Sequence, residues 1–124
     1  LGSNQYGQLG IPNQLIPTYY DHPMSLQKMY YTQSPMPVSF FDSTNAQKTF
    51  GNQSSKQPLK SNRSWEASPV LQIACGDDFS MALTQSGKLY TWGLMDDGRL
   101  GIRKPTGGYT VMGKNTYTCV PQKL

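Results

Sequence analysis

The sequence has one histidine, His22, and two cysteines, Cys75 and Cys119, among its 124 residues. A single histidine leaves a His-based acid–base pair or triad with little to build on. The two cysteines form no C-x-x-C pair and lie near no histidine cluster, so no zinc site is indicated. Cys75 stands in the apolar run LQIACG and reads as a small buried core residue. A disulfide between the two is left open, and such sparse cysteine suits a reducing compartment. No apolar run approaches the length needed to span a membrane. No signal peptide is visible. The chain opens in the middle of a pattern, so the expectation is that its true N-terminus lies elsewhere. No phosphate loop or dinucleotide fingerprint is present. Charge is scarce as well: 15% of residues are charged and 36% hydrophobic. A chain poor in both core material and solvating charge reads as one modest core with long irregular segments.

The net charge of +4 is local. Lys48, Lys56, Lys60 and Arg63 share one stretch, with no acid between Asp42 and Glu66. Their neighbours are Ser, Asn and Gln, so the stretch reads as a solvated loop, and nucleic acid or chromatin as a partner is only weakly supported. The triplets Asn52-Gln53-Ser54 and Asn62-Arg63-Ser64 fit the glycosylation acceptor pattern, and the serines fit phosphorylation patterns. Both match by chance in Ser/Asn-rich loops. Asp77–Asp78 and Asp96–Asp97 are adjacent pairs in turns, where side chains splay into solvent. Further oxygen ligands for a divalent metal are not evident. No residue is assigned a catalytic, cofactor-binding or metal-binding role.

Residues 11–67 have no sustained period. Pro12, Pro17, Pro23, Pro35 and Pro37 argue against long helices, although MSLQKMYY has room for about two helical turns. VSFF (38–41) is a candidate strand. The paired aromatics Tyr19–Tyr20, Tyr30–Tyr31 and Phe40–Phe41 suit packing of an irregular segment along a neighbouring surface. Residues 43–64 hold almost no apolar side chains and read as disordered.

From Ser68 the pattern changes. VLQIACG suits a strand buried on both faces. FSMALT alternates Phe79, Met81 and Leu83 with Ser80, Ala82 and Thr84, and LYTWG sets Tyr90 and Trp92 on one side; the turns GDD and QSGK separate the three. This is an antiparallel meander. Three short strands leave open edges and little core, a problem that a propeller solves by packing blades face to face.

The ten residues LGSNQYGQLG (1–10) and WGLMDDGRLG (92–101) fit one template. Residues 73–101 resemble the repeat of the regulator of chromosome condensation family: Ala74-Cys75-Gly76, Ser80, Ala82-Leu83, Gly87, Leu89-Tyr90, Trp92-Gly93, Gly98 and Leu100-Gly101 all stand at the family's spacing. Phe79 stands where that repeat usually has His, so a hydrogen bond from that position is absent. Asn4, Gly7, Gln8, Leu9 and Gly10 resemble the closing loop of the same repeat, with Leu1 in place of Trp. CVPQKL (119–124) resembles the start of a following unit.

The resemblance implies an all-β fold: antiparallel meander blades of a β-propeller with a long irregular insertion. The motifs stand 91 positions apart, against about fifty for propeller blades, so roughly forty residues are inserted. The expected division is 1–10 as the end of one repeat, 11–67 as the insertion, 68–101 as one repeat and 102–124 as the connection to the next. The implied function is a non-catalytic scaffold binding a protein partner inside the cell, in cytoplasm or nucleus. The alternative is a guanine-nucleotide exchange factor for a small GTPase, as the founding member is for Ran. The same fold serves ubiquitin ligases, ciliary proteins and a plant photoreceptor, so the fold does not choose between them.

Overall fold

A computed structural model describes residues 1–25, 27–41, 66–103 and 108–124. The expected disorder over 43–64 lies outside the described residues. The strands are β1 (Gly2–Ser3), β2 (Tyr19–Asp21), β3 (Lys28–Thr32), β4 (Val70–Cys75), β5 (Phe79–Thr84), β6 (Leu89–Leu94), β7 (Thr110–Met112) and β8 (Asn115–Lys123). The described helices are short 3-10 turns, at Asn13–Leu15, Ser39–Phe41 and Asp96–Gly98. Among the described residues no helix is long and apolar enough to cross a membrane. Two sheets result, ordered β1-β3-β2 and β4-β5-β6-β8-β7, with every neighbouring pair antiparallel.

The meander expected over 70–94 is present as β4, β5 and β6. Its register sets Ser80 opposite Trp92 and Ala82 opposite Tyr90. Paired residues share a face, so the small side chains of β5 leave room beside the large rings of β6. Gly93 ends the aromatic run at φ 113°, where a Cβ would strike the Asp78 carbonyl and the Phe79 backbone. Phe79, in place of the family's His, lays its ring against Gly76.

Several expectations are corrected. All six residues of β4 are exposed, including Cys75. β4 is an edge strand of its sheet, and nothing among the described residues covers it, so its apolar composition does not bury it. The MSLQKMYY stretch carries no helix over its second half: Lys28–Thr32 is strand β3, held by β1 on one side and β2 on the other. Two sheet neighbours supply the backbone partners that an isolated turn of helix would have lacked. VSFF is not a strand; Ser39–Phe41 form a 3-10 turn closed by Phe41 N–H on the Val38 carbonyl at 3.0 Å. Within 11–67, read as irregular, lie β2 and β3, and within 102–124, read as a connection, lie β7 and β8.

The two sheets share a plan. β3 stands to β1 and β2 as β8 stands to β6 and β7. Gly2 faces Thr32 and Ser3 faces Tyr31, as Gly93 faces Thr118 and Leu94 faces Tyr117. The glycines agree pairwise in φ: Gly2 and Gly93 at 108° and 113°, Gly7 and Gly98 both at 69°, Gly10 and Gly101 at 71° and 66°. Asn4 N–H donates to the Tyr30 carbonyl at 2.8 Å, and Met95 N–H to that of Thr116 at the same distance. The Thr32 hydroxyl accepts Ser34 N–H at 3.2 Å, and the Thr118 hydroxyl accepts that of Val120 at 3.1 Å. The repetition therefore extends from the ten-residue loop to the strand hairpin that follows it.

Candidate functional site

The seam between the first loop and the second sheet holds the buried aromatic cluster. Ala82, Tyr90 and Trp92 form its centre, with Phe40 and Phe41 packed against them. Ring centroids lie 5.1 Å apart for Phe40–Tyr90, 5.6 Å for Phe41–Tyr90 and 5.7 Å for Phe41–Trp92, in edge-on or tilted arrangements that aromatic quadrupoles favour. The Phe pair thus packs as the sequence indicated. The tyrosines of β2 and β3 pair with each other instead, Tyr19–Tyr30 at 5.8 Å and Tyr20–Tyr31 at 6.0 Å.

The loop 1–10 is built around Asn4, which is fully buried. Its Nδ2 donates to the Ile11 carbonyl at 2.7 Å and to Asn13 Oδ1 at 2.8 Å, and its Oδ1 accepts Leu9 N–H at 2.9 Å. That frame presents the Gln8 carbonyl to the sheet. Trp92 Nε1–H donates to it at 3.0 Å and the Ser80 hydroxyl at 2.7 Å. Tyr6 meets Tyr117 edge-on at 6.3 Å, and its hydroxyl accepts from Asn115 Nδ2 at 3.2 Å. The loop of one repeat is thereby bonded to three strands of the next, β5, β6 and β8.

Beside this seam runs an apolar groove of about 490 Å³, lined among others by Leu9, Val38, Phe41, Ile73 and Ala82. Ile73 is 70% exposed and Leu71 64% exposed. Polar groups at the seam are occupied: Ser80 is spent on Gln8, and Cys75 Sγ lies 3.8 Å from Ser80 Oγ. The groove can hold apolar surface, and its lining offers no paired nucleophile and base.

At the far edge of the cluster sits Glu66, 6% exposed. Its carboxylate accepts the Tyr90 hydroxyl, Lys88 Nζ at 3.3 Å and Ser68 N–H at 2.8 Å. Burial by itself pushes this carboxyl up, but the three donors and the Lys88 charge outweigh it and hold it below the usual value. Tyr90 is pushed up to about 12, first by burial and then by the Glu66 carboxylate. Sequence reading missed Glu66. Its only signal was being the first acid after a long acid-free stretch.

The other sequence candidates are dispersed. His22 Nδ1 accepts Met24 N–H at 3.2 Å in the β2–β3 connection. Asp96 Oδ1 accepts Thr116 N–H at 3.1 Å, which ties its loop to β8, and Asp97 Oδ2 lies 3.2 Å from Arg99 Nη2 within the loop. The second sheet's loop has Met95 where the first has Asn4, and its bonds include Gly101 N–H to the Gly98 carbonyl and the Thr91 hydroxyl to the Leu100 carbonyl, both at 2.9 Å. Asp77 and Asp78 lie in the turn before β5. Among the described residues no group of His, Cys, Asp and Glu could hold a metal ion. Both cysteines are free thiols. The triplets 52–54 and 62–64 lie outside the described residues.

Comparison with known proteins follows the same lines. Two models described as "Regulator of chromosome condensation (RCC1) repeat" match, one over residues 1–83 and one over 70–99. E3 ubiquitin-protein ligase HERC2 of Homo sapiens is 39% identical over 80 residues, which is 60% of this chain and 2% of that protein. Serine/threonine-protein kinase Nek9 of Xenopus laevis is 53% identical over 34 residues, 27% of this chain and 4% of the kinase. Protein RCC2 of Homo sapiens is 30% identical over 70 residues, 56% of this chain and 13% of that protein. The chain thus spans a small part of the relatives it matches, and no solved structure matches it. With an all-β, antiparallel fold of RCC1-type propeller blades, the chain belongs to the regulator of chromosome condensation (RCC1) repeat family.

Proposed function

We propose that the chain is a non-catalytic scaffold, part of an RCC1-type β-propeller that binds a protein partner through the apolar surface of β4 and the groove beside it. The observation that carries this reading is the exposure of Leu71 and Ile73 next to a groove of about 490 Å³. Exposed apolar surface of that kind favours association with another protein surface. The reading places the protein inside the cell, in cytoplasm or nucleus, and two free thiols suit a reducing compartment.

The division of the chain is part of the same proposal. The shared plan of the sheets supports assigning 1–38 to the end of one repeat, its loop and outer hairpin, and 66–124 to the next. The sequence that the family pattern leaves unexplained then shrinks from 11–67 to the stretch between 38 and 66.

The ligase and kinase named among the relatives match over 2% and 4% of their lengths, so their catalysis is not carried over. Exchange on a small GTPase is the competing reading, and nucleotide-release assays against a panel of small GTPases separate the two. The scaffold reading expects release at the intrinsic rate, together with a protein complex that Ile73→Lys weakens about tenfold or more. Release accelerated by the chain, or a complex indifferent to Ile73→Lys, would sink it.

A further inference from the structure

The residues on either side of the 42–65 stretch meet on one surface. On the near side, Phe40 and Phe41 stack edge-on at 5.0 Å and pack on Tyr90 and Trp92. On the far side, Glu66 N–H donates to the Phe40 carbonyl, while its carboxylate takes the Tyr90 hydroxyl, the Lys88 ammonium and the Ser68 N–H. Tyr90 is therefore held twice, by two phenyl rings on its ring and by a carboxylate on its hydroxyl. A carboxylate this buried is tolerated only with several donors, and three are present. Nothing in the RCC1 repeat pattern given above asks for an acid at this position or for the Phe pair.

We propose that Glu66 and the Phe40–Phe41 pair form a latch that fastens both ends of the 42–65 stretch to the Tyr90–Trp92 face, so that the fold of the repeats does not depend on what that stretch contains. The position is a port at which the repeat accepts inserted sequence. Because Phe40 and Glu66 are already hydrogen-bonded, a linker of a few residues spans the gap between them. A shorter linker between fixed ends costs less closure entropy than a longer one. The latch stands independently of the scaffold reading, since it concerns how an insertion is held and not what the protein binds.

The test uses the full chain with residues 46–61 replaced by a four-residue Gly-Ser linker, alone and combined with Glu66→Gln, Tyr90→Phe or both. The shortened chain keeps a Tm no more than about 3 °C below the parent, and the Glu66 amide stays protected from hydrogen exchange. At either length, Glu66→Gln and Tyr90→Phe each lower Tm by about 5 °C, and together by less than the sum, because they share one bond. Tyr90→Phe keeps the ring packing, so it reports on the hydroxyl even if the Glu66 variant folds poorly. A larger fall on shortening, an unprotected Glu66 amide in the parent, or strictly additive substitutions overturns the latch.

Discussion

Two titrating groups, Glu66 and Tyr90, share one hydrogen bond, and each gives the stability of the seam a pH limit. Glu66 is held below its ordinary value in the folded chain, against burial that acts the other way. Its contribution is present above the unfolded value of about 4.3 and disappears as pH falls through the lower folded value. Tyr90, raised to about 12, contributes fully below its unfolded value of about 10 and loses that contribution as pH climbs from there to the folded value. Thermal melts from about pH 3 to pH 11 are expected to fall at both ends, with the alkaline fall reduced in Tyr90→Phe. The cysteines differ through burial as well. Cys75 is exposed, whereas burial raises the Cys119 thiol. A thiol reagent at neutral pH is expected to modify Cys75 about tenfold faster or more; equal rates would contradict this placement. Gly7, at φ 69°, has no room for a side chain, since a Cβ would stand 2.8 Å from Cys119 Cα. Gly7→Ala is expected to cost about 1–3 kcal/mol in urea unfolding.

Among the elements, β5 and β6 are legible in the sequence because their side chains alternate and their turns carry glycine. β4 is legible as a strand but not in its burial. Val70, Leu71 and Ile73 carry the composition of a central strand, yet nothing among the described residues pairs with its outer edge. Composition reports which residues favour a sheet; position in the sheet order decides which of them are covered. Ile73→Lys is accordingly expected to change stability by under about 0.5 kcal/mol, while Ala82→Lys, which forces a charge into a residue 2% exposed beside Tyr90, leaves the chain unfolded. Circular dichroism melts of the two variants check both outcomes. β3 was hidden for another reason. A short segment without periodicity follows its neighbours, and β3 takes its form from pairing with β2 just before it and with β1 at the start of the chain.

At the scale of the whole molecule, one carbonyl with two donors is a principal joint between the two repeats, beside the Tyr6–Asn115 bond. Gln8 accepts both Trp92 Nε1–H and the Ser80 hydroxyl, and Ser80 and Trp92 face each other across β5 and β6. Trp92→Phe and Ser80→Ala are each expected to cost about 1 kcal/mol, with a further penalty in the double variant, where the buried carbonyl loses every partner described for it. Simple additivity in a double-mutant cycle would show that the carbonyl finds another donor. The same joint explains why β5 carries small residues on this face. Ser80 and Ala82 leave space for a loop backbone and the Phe41 ring, which larger side chains would displace.

The sequence by itself determined the local features: the three strands of 70–94, the turns between them, the glycine-bounded loops and the repeat they belong to. Each follows from spacing within a few residues, which short-range sterics and side-chain alternation enforce. Only the tertiary structure decided the pairings between distant segments. It set β3 against β1 and β8 against β6, turned β4 outward, and brought Glu66 and Phe40 together on Tyr90. Those outcomes rest on which surfaces and hydrogen-bonding edges remain unsatisfied once the local elements exist, and that is a property of the assembled chain.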